Sequence, residues 1–172
     1  MKRFFLTLIS VLAVSAMFVS CNKDGNGTET GGETYMLFFN FGPDAEYGSD
    51  TPVLNQILDE ANKLTIEADK AIYGGSSETG FPFRKAFTAK DDASAKAEFE
   101  KYLDKAKSEA ETIIAALNKI KNDNAEAIAS YPSSAHVTLE FAFMLLKSDP
   151  EILGGKVIHE TDCGTFSVKG GK

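Results

Sequence analysis

The sequence contains no tryptophan, two cysteines and two histidines among 172 residues, and each scarcity narrows what the chain can do. Without tryptophan, the strongest aromatic platform for a sugar is missing. A zinc site with histidine ligands would need both His136 and His159 together with Cys163 or carboxylates, and their spacing matches no zinc motif. No Gly-x-Ser-x-Gly, His-Glu-x-x-His or paired-carboxylate motif occurs. Basic residues are also sparse: beyond Lys2-Arg3, Arg84-Lys85 is the one adjacent basic pair, and the whole chain carries a net charge of −7. Such a surface repels phosphate backbones, so nucleic acid is not an expected partner. Nothing in this composition asks for a cofactor or a metal.

What is present begins at the amino terminus. Lys2 and Arg3 form a cationic head, Phe4 to Val19 form an apolar run interrupted only by Thr7, Ser10 and Ser15, and small Ser20 precedes Cys21. A spanning helix needs about 17 to 25 predominantly apolar residues, so this run is at the short end, and no second apolar run follows. The order of charge, apolar run, small residue and cysteine resembles the signal peptide of bacterial lipoproteins, although Phe18 and Val19 are bulkier than the residues usual there. The resemblance covers only this segment. It implies that residues 1–20 are removed and that Cys21 carries a diacylglyceryl group and a further acyl chain, anchoring the protein in the cell envelope at the outer membrane. Cys163 is then left without a disulfide partner. A plain secretory signal with an incidental cysteine is the competing reading.

Residues 21–34 continue as Cys21 and then NKDGNGTETGGET, rich in glycine and free of apolar side chains, a composition that cannot bury enough surface to order itself. The expectation is a flexible tether with a root-mean-square span of about 20 Å. Lys23-Asp24 matches, in its shortest form, the Lys-plus-acid stretch that sends Bacteroidetes-type lipoproteins to the outer face of the membrane; a solvated tether predicts the same two residues.

Residues 35–172 read as one globular domain. Tyr35 to Phe41 is a compact apolar run closed by Gly42-Pro43 and predicts a core strand. Asp44, Glu46 and Asp50 follow, but the EF-hand pattern fails at the glycine and at the twelfth position. Thr51-Pro52 marks a helix start, and Leu54, Ile57, Leu58, Ala61, Leu64 and Ala68 keep helical spacing until Gly74-Gly75. Those glycines follow a helix rather than precede one, so they do not form a phosphate loop. Phe81 to Lys90 alternates as an edge strand would, with an irregular loop as the alternative. A long helix follows on Phe99, Leu103, Ala106, Ala110, Ile113, Leu117 and Ile120, with interleaved acids and lysines on its solvent face. Val137, Leu139, Phe141, Phe143 and Leu145 then alternate strictly, which only a strand explains, and Lys156 to Lys169 returns as a partner strand. The fold class expected is α+β: a two-layer sandwich with two long helices on one face of a three- to four-stranded, mostly antiparallel sheet.

Candidate chemistry is thin. His159 and Cys163 invite a base and nucleophile reading, but on a continuous strand they lie about 13 Å apart. If the strands rise in turn and the helices descend, Tyr73, Phe81 and Tyr131 gather at one end of the sandwich, where aromatic rings around a rim suit a glycan or protein ligand; rings that simply cap the core are the alternative. The expected function is an envelope-anchored binding or adhesion module. A structural envelope protein, or an enzyme without a recognisable motif, predicts the same sequence, and the oligomeric state is not legible in it.

Overall fold

A computed structural model describes residues 32–74, 84–149 and 151–172. Strand β1 (Glu33–Glu46) leads into helix α1 (Pro52–Tyr73), strand β2 (Arg84–Ala89), helix α2 (Asp92–Asp123), a short helix α3 (Ala125–Ser130), and the hairpin of β3 (His136–Asp149) and β4 (Ile152–Lys169). The strands form one sheet in the order β2-β1-β3-β4, antiparallel throughout. The expected α+β architecture is therefore present, with four strands.

Period-two alternation decides which face of the sheet meets the helices. Tyr35, Leu37 and Phe39 of β1, and Val137, Leu139, Phe141, Phe143 and Leu145 of β3, share one buried cluster with the apolar stripes of α1 and α2. Rings interlock across the layers: Phe99 of α2 stacks on Phe143 at 4.6 Å, and Phe39 and Phe141 stack within the sheet at 6.3 Å. On α2, Phe99, Ala106, Ala110, Ile113 and Leu117 are buried, whereas Leu103 and Ile120 are only partly so, because they lie toward the flanks of the stripe.

Local signals set the boundaries. Pro52 opens α1, and Gly74 closes it in the left-handed conformation with φ 72°, its N–H donating to the Lys70 carbonyl. Thr51 does not cap the helix through its side chain; its hydroxyl instead bonds the Gly48 amide and carbonyl and closes the preceding turn. Asp91 does cap α2, its carboxylate accepting from the Ser94 amide at 2.8 Å. Strand β1 is longer than expected at both ends. Glu33 and Thr34, expected in the tether, pair with Ala89 and Thr88 of β2, and β1 runs past Gly42-Pro43 to Glu46. Among the described residues β2 pairs only as far as Phe38, so Pro43 has a strand neighbour on the β3 side alone, which suits a residue without an N–H. Strand β3 continues to Asp149 and β4 begins at Ile152, ahead of the expected Lys156, and irregularities along β3–β4 absorb the extra residues.

Candidate functional site: a polar groove at one end of the sheet

The same alternation that buries Val137 and Leu139 turns His136 and Thr138 onto the opposite face, which is free of the described helices. The register then aligns Glu46, His136 and Lys169 across three strands, followed by Asp44, Thr138 and Ser167 in the next row. Beside these rows lies the 131–135 loop, held to the last residues by three backbone bonds: Gly170 N–H to the Ala135 carbonyl, Ser133 N–H to the Lys172 carbonyl, and Lys172 N–H to the Tyr131 carbonyl. Together they enclose an open groove of about 440 Å³ lined by Glu46, Ser134, His136, Thr138, Ser167 and Lys169. A smaller hollow of about 200 Å³ adjoins it through Glu46 and Ser134 and reaches Tyr47 and Thr51.

His136 is the organising side chain. Its Nδ1 lies 2.7 Å from the Ser134 carbonyl, which can only accept, so Nδ1 carries a proton. Its Nε2 faces Asp44 Oδ1 at 3.5 Å. With an acceptor at each nitrogen, the doubly protonated ring is favoured, and the pKa is raised first by the Ser134 carbonyl and then by Asp44. A charged imidazole is a poor base. The groove thus offers the His136 ring, the Lys169 ammonium, the carboxyl groups of Asp44 and Glu46 and a row of hydroxyls, including the Thr138–Ser167 pair at 3.1 Å. That inventory suits reversible hydrogen bonding to a polar ligand rather than nucleophilic chemistry. Among the described residues no group of three or more His, Cys, Asp or Glu side chains could hold a metal ion.

Of the aromatic residues expected at one rim, Tyr73 and Tyr131 are not brought together. Tyr131 is 7 % exposed, and its hydroxyl accepts from the Val53 amide at 3.3 Å, in the first turn of α1. Tyr73 is the last residue of that helix, 20 residues further on and so about 30 Å away along its axis. The reason is strand direction: β2 runs antiparallel to β1 rather than rising beside it. Tyr73 packs against Tyr102 at 6.0 Å, and burial, then the charge of the buried Asp69 one turn earlier, raise its pKa. Phe81 and Cys21 lie outside the described residues.

His159 and Cys163 have separate surroundings. The His159 ring meets Phe99 edge-on at 5.1 Å, while the Cys163 thiol bonds back to the Thr161 carbonyl and burial pushes its pKa up to about 11. Cys163 is a core filler. The groove itself escaped the sequence reading because its three strands come from positions near 46, 136 and 169. Alternation places His136 with Thr138, but only the register supplies Glu46 and Lys169. The chain matches no known protein family, no characterised protein and no solved structure.

Proposed function

We infer that this chain is a lipid-anchored protein of the bacterial envelope whose folded domain is a binding module, with the groove around His136 as its ligand surface. The observation that carries the reading is one of placement. The anchoring signal ends at Cys21, about eleven residues before the described fold begins, and β1 starts at that end and finishes at the groove. Fourteen strand residues at about 3.3 Å each put the groove roughly 45 Å from the point where the chain joins the domain. A ligand surface at the far end of a tethered domain is free of the headgroups. Its mixed charges and hydroxyls favour a polar glycan or the polar surface of a protein.

Two measurements test this. The mass of the mature amino terminus should show acyl chains on Cys21, and Cys21→Ala should leave uncleaved precursor or soluble protein; unaltered processing and membrane attachment in that variant would overturn the anchor. A thermal-shift screen of glycans and envelope proteins should return a ligand that raises the melting temperature of the native chain and not that of His136→Ala or Lys169→Ala, because only a binder of the folded state stabilises it. Equal shifts in all three would move the ligand elsewhere.

A further inference from the structure

The face of the sheet that is free of the described helices changes character along its length. The groove end is polar, but at the other end Ala86, Met36, Leu146 and Val157 form a transverse row through all four strands. Phe38 and Met144 make the next row, with the Arg84 guanidinium 4.9 Å over the Phe38 ring. Met36 is buried without belonging to the cluster beneath the helices, Leu146, Phe38 and Met144 are partly buried, and Ala86 and Val157 at the two ends of the row are exposed. Four large hydrophobic side chains among the described residues are prominently exposed, and two of them, Ile152 at 46 % and Val157 at 44 %, lie here on the β3–β4 hairpin. The row is about 14 Å wide, three strand spacings of about 4.8 Å. The Phe38–Met144 row ends in both signs, Arg84 on β2 and Glu160 on β4.

We propose that this end of the sheet rests on the lipid bilayer, with Val157 and Ile152 in contact with the apolar part of the interface. The occupant follows from where the remaining chain leads. Residues before Gly32 join β1 four positions ahead of Met36, and the eleven positions from Cys21 to Gly32 reach at most about 40 Å however they are arranged. Acyl chains on Cys21 therefore keep this end, and not the groove end, beside the membrane. A patch of this size is within what monomers ordinarily expose and would not recruit a bilayer alone. Tethering raises its effective concentration to the millimolar range, where a weak apolar contact suffices. With a net charge of −7 on the chain, anionic lipid adds nothing to the contact, which is apolar. This proposal rests on the anchor at Cys21 inferred above.

The test uses the full processed chain, with its acyl mass confirmed first. An environment-sensitive dye is placed on Val157→Cys or, at the groove end, on Ser167→Cys; both sites are exposed while Cys163 is buried. The proteins are reconstituted in phosphatidylcholine vesicles with and without spin-labelled lipid. Blue-shifted emission at position 157 and quenching at least threefold stronger than at position 167 are expected, with no gain on adding anionic lipid. Equal quenching at the two positions in acylated protein overturns the docking and leaves the anchor intact, whereas absent acyl mass overturns both. A blue shift at position 157 that appears in detergent without lipid and grows with protein concentration would assign the row to a second copy of the chain instead.

Discussion

Phe141 sits between two other rings, 6.3 Å from Phe39 and 5.5 Å from Phe41, and is 1 % exposed. Truncating it removes contacts from both sides, so Phe141→Ala should cost about 3 to 5 kcal/mol, read as a lower urea midpoint at unchanged slope; a loss within error would mean the site collapses without penalty. Its burial is legible in the sequence, since five large apolar residues at strict alternation leave the strand no other face to turn inward. Tyr131 is the contrary case. Its partner, the Val53 amide, is remote in sequence, and no local pattern announces that a loop tyrosine closes the start of α1. Tyr131→Phe should cost about 0.5 to 1.5 kcal/mol through the lost hydrogen bond alone, while leaving ligand shifts unchanged. Binding lost at equal stability would restore Tyr131 to a recognition role.

At the scale of elements, the starts of β1 and α2 and the end of β3 are joined by one polar cluster. Lys147 reaches Glu33 at 2.6 Å and Asp92 at 3.1 Å, and the Tyr35 hydroxyl faces the same two carboxylates at 2.8 and 2.6 Å. Lys147 foremost, then Tyr35, lowers the Glu33 pKa, and Tyr35 followed by Lys147 lowers that of Asp92. A carboxyl whose folded pKa lies below its unfolded value contributes stability that is complete above the unfolded pKa and is lost as pH falls through the folded one. The melting temperature should therefore drop as pH falls below about 4, and Lys147→Met should flatten that drop. An identical acid profile in the variant would show that the cluster contributes nothing. None of this junction could be read beforehand, because its residues come from three separated segments. The elements themselves could be: Pro52, Gly74 and the Asp91 cap mark helix ends by local chemistry. Strand direction could not, because the link between α1 and β2 leaves both directions open, and that choice separates Tyr73 from Tyr131.

For the whole molecule, the layer architecture was legible because each long element shows one apolar face and only a two-layer stack buries them all. The groove was not, since it is made by register. One core cluster spans both helices and the sheet, so a chain beginning at Gly32 should unfold in a single transition by two spectroscopic probes; separate midpoints would divide the core into independent parts. The strand order also imposes a delay on how this core is made. Strand β1 is central, yet its long partner β3 follows about a hundred residues later in the chain. At about 5 to 20 residues per second, synthesis leaves YMLFFNF waiting roughly 5 to 20 s before β3 exists. During that interval the future centre of the sheet stands without its long partner strand, open to pairing with another chain.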